Sequence, residues 1–84
     1  MDSESIRERV RQMIETGNLP CETGKVWAGR GGGDTCVVCV KPIAVEQVEF
    51  EVVLRSGEAI RLHPHCHRIW TEECEPATGL AGRG

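Results

Sequence analysis

Cys36-Val37-Val38-Cys39, followed after 23 residues by His63-Pro64-His65-Cys66, holds the strongest signal in this chain. Two thiolates two residues apart, then a His and a Cys two residues apart, supply the four soft or borderline ligands of a closed tetrahedral zinc site. The short Cys-x2-Cys turn lets both sulfurs reach one ion while aiming backbone N–H groups at them. The spacing therefore predicts one Zn2+ per chain, held by Cys36, Cys39, His63 and Cys66.

Size argues for such a staple. The chain has 84 residues, room for one small domain, and its aromatic residues are Trp27, Phe50 and Trp70. So thin a core seldom offsets chain entropy alone. Structural zinc contributes roughly 10–16 kcal/mol in small finger peptides near neutral pH. Five cysteines also raise the possibility of disulfides. Met1-Asp2-Ser3-Glu4-Ser5-Ile6-Arg7-Glu8-Arg9 has no apolar core of a secretion signal, and no run approaches a membrane span. The expectation is a cytoplasmic chain with reduced thiols, in which Cys and His pairs bind metal.

The formal net charge is −3. Three thiolates and a neutral imidazole around a divalent cation add −1, for a total of about −4. Residues 34–84 hold five Lys/Arg against eight Asp/Glu. A module that grips phosphates non-specifically needs a cationic surface, so nucleic acid is disfavoured as a partner. Arg55, Arg61 and Arg68 are the residues that could form a local basic patch.

Residues 5–16 read as an amphipathic helix within an N-terminal segment, 1–17. Ser5-x-x-Glu8 fits a capping box, and Ile6, Val10, Met13 and Ile14 share one face. Gly17 suits the position after the helix, and Pro20 prevents resumption. The apolar stripe must dock on the rest of the chain, on another copy or on a partner; docking in cis is the simplest expectation. Residues 18–34, with Gly29-Arg30-Gly31-Gly32-Gly33, read as a flexible connector. These glycines fail as a phosphate loop: Gly24-Lys25 precedes Val26 rather than Ser/Thr, and Asp34 stands where a dinucleotide fingerprint needs its last Gly. Trp27 is expected to cover the small core.

Residues 35–75 are expected to form the zinc-binding domain. Val48, Phe50, Val52 and Leu54 alternate onto one strand face. Arg55-Ser56-Gly57-Glu58 is a turn, and Ala59–His63 the returning strand. Pro64 can take the first helical position, and a helix through Cys66, Ile69, Trp70 and Glu73 follows, ending before Pro76. A disordered tail is expected over 76–84.

A cysteine turn, a β-hairpin and a helix whose first turn bears the second ligand pair resemble a treble-clef zinc finger. The fold expected is therefore α+β, a small treble-clef domain preceded by the N-terminal helix. The spacing Cys36-x2-Cys39-x23-His63-x2-Cys66 is also similar to the first zinc-binding half of a LIM domain. The second half has no counterpart, so LIM function is not carried over. The wider pattern Trp27-Ala28-Gly29, Cys36-Val37-Val38-Cys39, Pro42-Ile43, Glu49-Phe50-Glu51 and His63-x2-Cys66-x3-Trp70 resembles small uncharacterised bacterial zinc-binding proteins. That resemblance implies a zinc domain and adds no catalytic residue.

His63, His65 and His67 compete for one ligand position. His63 has the favoured His-x2-Cys spacing; His65 and His67 sit too close to Cys66 in sequence to share its ion readily, and are expected to be exposed. Four ligands leave no open position for catalysis. His-Glu-x2-His is absent, as is the deaminase signature, and the one Asn, Asn18, lies outside the motif. Cys74 lies two helical turns past Cys66, too far to share the ion, and is expected as a packed or partly exposed thiol; Cys21 is expected as a loop thiol.

These features point to a non-enzymatic zinc module that binds another protein and does not enter a membrane. A small nucleic-acid-binding regulator and a redox- or metal-responsive zinc-thiolate switch are the alternatives.

Overall fold

A computed structural model describes residues 2–22 and 24–83, the stretch 76–83 as helical backbone only. The elements run α1 (Ser3–Glu15), β1 (Lys25–Arg30), β2 (Val48–Val53), β3 (Ala59–Leu62) and α2 (Pro64–Arg83). They make a small α+β fold with a three-stranded antiparallel sheet in the order β1-β2-β3. α2 runs on to Arg83 rather than ending before Pro76 as expected, and the side chains of the tail expected over 76–84 lie outside those described.

α1 begins two residues earlier than the helix expected over 5–16, and its N-cap is three residues before the Ser5 of the capping box. Asp2 is the N-cap, and its carboxylate accepts from the Ser5 N–H at 2.8 Å. Asp2 wins because it places an anion at the positive end of the helix while satisfying one of its unpaired donors. The far end follows expectation. Gly17 has φ +82°, with Gly17 N–H donating to the Ile14 carbonyl and Asn18 N–H to that of Met13. Both bonds satisfy last-turn carbonyls, and the left-handed residue between them favours glycine.

The apolar stripe of α1 docks in cis. Ile6 and Val10 are buried, and Met13 and Ile14 pack against the same core. The polar flank locks onto α2: Arg7 bridges Glu72 (2.7 Å) and Glu73 (2.6 Å), and Arg11 reaches Glu73 (2.7 Å). One carboxylate shared by two guanidiniums on a neighbouring helix fixes the register of the pair.

The hairpin forms where alternation placed it. Val52 pairs with Ile60 and Phe50 with Leu62 on the face turned to α2; Glu51 pairs with Arg61 on the outer face. Gly57, at φ +92°, makes the turn, closed by Leu54 N–H to the Glu58 carbonyl. Val52, Leu54, Ile60 and Leu62 join Ile69 and Trp70 of α2 in the core, whereas Val48 is half exposed.

Residues 18–34 are a correction. They contain β1, which pairs with β2 along its length from Lys25↔Val53 to Arg30↔Val48. The strand escapes a periodicity reading because its residues are exposed on both faces, so no buried row imposes alternation; its pairing with β2 is what orders it. Trp27 is 57% exposed rather than a core cover. The glycines are not a loose linker either. Gly31 is buried, and a Cβ there would sit 2.1 Å from the Ala44 carbonyl oxygen. Only glycine lets the two backbones approach so closely.

Candidate metal centre

Three elements converge on the predicted ligands. Cys36 and Cys39 occupy a turn in which Cys36 N–H donates to the Lys41 carbonyl and Val40 N–H to that of Cys36. Val37 N–H donates to the Arg61 carbonyl, pinning the turn to β3. His63 lies between β3 and α2, and Cys66 falls in the first turn of α2, which opens on Pro64 as expected. The hairpin thus returns the chain so that both pairs face each other.

The ligand atoms of Cys36, Cys39, His63 and Cys66 all lie within 4.8 Å of one another. Cys39 Sγ and His63 Nδ1 are 3.3 Å apart. The three cysteines are buried, and His63 is half-buried. Sulfurs and an imidazole nitrogen at these separations can hold one tetrahedral ion, and the donor set suits zinc. A cleft of about 450 Å³, lined in part by Cys39, His63, Cys66 and Lys41, reaches the ligands from solvent and provides an entry path.

Electrostatics in the cluster show what a cation would complete. Cys66 donates to Cys36, and the backbone N–H groups of Cys39, His63 and Val38 also stabilise the Cys36 sulfur, holding its pKa far below the usual thiol range against the opposing effect of burial. Cys66 moves the other way, chiefly because it is the donor to Cys36; burial and the neighbouring Cys36 and Cys39 charges push it further up. The pair is thus set as a thiolate at Cys36 beside a thiol at Cys66 that keeps its proton. A divalent ion at the centre would displace that proton and stabilise all three sulfurs as thiolates.

α1 encloses this centre. Ile6 lines the cleft, Arg9 Nε donates to the Val38 carbonyl inside the cysteine turn, and Ser3 Oγ lies 3.0 Å from His65 Nε2. His65 is exposed and outside the cluster, as expected. His67 is also outside it, but is half-buried rather than exposed. Its ring stands edge-on to Phe50 (5.0 Å) and Trp70 (5.9 Å), and burial lowers its pKa, favouring the neutral ring.

Comparison with protein-family models, with curated proteins and with solved structures finds no match. The chemistry of the site therefore rests on its own residues.

The expectation that Cys21 and Cys74 are thiols is corrected. They form a disulfide with Cα atoms 5.4 Å apart, joining positions separated by 53 residues. Cys36, Cys39 and Cys66 remain free of disulfides. Sequence alone hides the pairing because the segment around Cys21 reads as a loose connector; Cys21 is brought to α2 by the buried Leu19 and by Trp70 Nε1 donating to the Pro20 carbonyl at 3.2 Å.

The basic patch also looks different in place. Arg61 faces Asp34, Glu49 and Glu51 at 3.4–3.7 Å. Arg55 lies 3.6 Å from Glu22, and Arg68 3.8 Å from Glu72. Each guanidinium named as a phosphate contact has a carboxylate beside it. No helix among the described residues is long and apolar enough to cross a membrane.

Proposed function

We propose that this chain is a non-enzymatic, zinc-stabilised treble-clef module that binds another protein. The observation that carries the metal reading is the convergence of three buried cysteines and His63 within 4.8 Å. The cysteine turn, the β2–β3 hairpin and a helix starting beside His63 have the order of a treble clef. Zn2+ is the ion best matched to three thiolates and one imidazole. Four protein ligands complete its tetrahedron, which suits a structural role and leaves no position for substrate.

The contact surface cannot be the apolar face of α1, which is spent on the core. The outer sheet face is the better surface: Trp27, which pairs with Glu51 on that face, is exposed on edge strand β1. Exposed tryptophan is enriched in protein contacts. The carboxylates around Arg55, Arg61 and Arg68 favour this reading over nucleic-acid binding.

Metal content tests the first part. Protein purified without added zinc should hold close to one zinc per chain, lost in His63→Ala and kept in His65→Ala. Zinc retained in His63→Ala would refute the ligand set. For the second part, crosslinking in the native cell should yield a specific protein that Trp27→Ala loses while keeping its zinc. An unchanged crosslink would exclude Trp27 as the contact.

A further inference from the structure

We infer that the Cys21–Cys74 disulfide is a redox-operated clasp on the metal-bearing helix, and that its reduction weakens metal retention. This rests on the metal reading of Cys36, Cys39, His63 and Cys66. The covalent ring closed by Cys21 and Cys74 spans 53 positions and contains all four of those residues. α2 is thus fastened twice. Its first turn is held through Cys66, and two turns later Cys74 ties it to the segment after α1.

Between the two points Ile69 and Trp70 are buried, and Trp70 bonds to the Pro20 carbonyl next to Cys21. Cys66, Ile69, Trp70 and Cys74 follow helical spacing along one face. The disulfide and the metal therefore hold the same packed helix. A ring of this size restricts the unfolded chain enough to favour the fold by roughly a thousandfold in the chain-entropy model. When metal binds only the folded form, apparent affinity scales with the folded fraction of the metal-free chain. Opening the ring lowers that fraction and with it the affinity.

The bond is placed to be opened. Both cysteines are half-buried rather than sealed, and they line a cleft of about 530 Å³ with His67 and Trp70. The reductant is a small-molecule thiol. Its thiolate attacks one sulfur of the pair, the Cys21–Cys74 bond breaks, and the released sulfur takes a proton. A second thiol resolves the mixed disulfide. Two thiols are oxidised to one small-molecule disulfide, and the protein gains two electrons and two protons.

The test compares the full chain loaded with zinc in three forms: air-oxidised, reduced with a phosphine, and as the Cys21→Ser/Cys74→Ser double variant, which needs no reductant. Thiol alkylation after denaturation and metal removal reports the bond, and competition with a chromogenic chelator reports zinc affinity. In the oxidised form Cys36, Cys39 and Cys66 should alkylate while Cys21 and Cys74 are protected. The reduced form and the double variant should each bind zinc at least tenfold more weakly. Equal affinity in all three forms, with the bond verified, overturns the clasp and leaves the metal site standing. Alkylation of Cys21 and Cys74 without reductant overturns it as well. Absence of zinc from every form removes the metal reading, and the clasp with it.

Discussion

Cys39 Sγ lies 3.3 Å from Nδ1 of His63, 24 positions further along the chain. That approach is the work of the β2–β3 hairpin, which carries the chain out from the cysteine turn and back to it. His65, two residues on, is exposed and bonded to Ser3 instead. His65→Ala should therefore keep its metal and lose no more than about 1 kcal/mol of stability, the ordinary worth of one hydrogen bond. Urea unfolding of the zinc-loaded protein checks this; loss of zinc would mean that His65 is a ligand.

Val40 closes the cysteine turn with φ +63°. A β-branched residue in the left-handed region is strained by roughly 1–2 kcal/mol. At 57% exposure its side chain contributes little burial. Glycine removes the strain but costs about 0.5–1 kcal/mol in chain entropy. Val40→Gly should thus stabilise the zinc-loaded fold by up to about 1 kcal/mol, read as a higher urea midpoint. A lower midpoint would contradict the strain.

Gly31 and Gly29 should respond oppositely to the same substitution. A Cβ at Gly31 would meet the carbonyl oxygens of Ala44 (2.1 Å) and Ile43 (2.6 Å), whereas one at Gly29 meets nothing within 4 Å. The Gly31 neighbours are backbone, tied by Gly31 N–H to the Gln47 carbonyl and Gly33 N–H to that of Ile43. Gly31→Ala should cost about 2–3 kcal/mol, and Gly29→Ala should stay within about 0.5 kcal/mol. Thermal unfolding of the two variants decides it; equal midpoints would restore the flexible-connector reading.

The α1–α2 contact should fail in acid. Arg11, then Arg7, holds the Glu73 carboxyl below its ordinary value of 4.5; Arg7 does the same for Glu72. The Ser5 N–H lowers Asp2 from 3.8. Folded pKa values below unfolded ones mean stability that is present above about pH 4.5 and lost as pH falls through the depressed values. Glu73→Gln should flatten that acid limb relative to wild type, measured by protease cleavage of α1 against pH. Zinc release is common to both proteins and cancels. Identical acid limbs would show that Glu73 does not hold α1.

What was legible in the sequence was whatever had local chemistry or a short period. The ligand pairs are marked by spacing, the hairpin by alternation and Gly57, and the start of α2 by Pro64. The α1 stripe was visible too, and its place against the core was the simplest expectation. β1 was not legible, because its order comes from β2, some twenty residues away, and exposure on both faces erases the alternating pattern. The Cys21–Cys74 bond was hidden for a related reason: connectivity depends on which distant segments the core brings together. Gly31 looked like one flexible residue in a glycine run until the carbonyls of Ile43 and Ala44 were placed beside it.

The central claim is that Cys36, Cys39, His63 and Cys66 together hold one zinc ion, and X-ray absorption at the zinc edge of the loaded protein tests it most directly. The account predicts three sulfur neighbours at roughly 2.3 Å and one nitrogen at roughly 2.0 Å, with the nitrogen lost in His63→Ala. Oxygen neighbours in place of sulfur, or a first shell unchanged by His63→Ala, would contradict it.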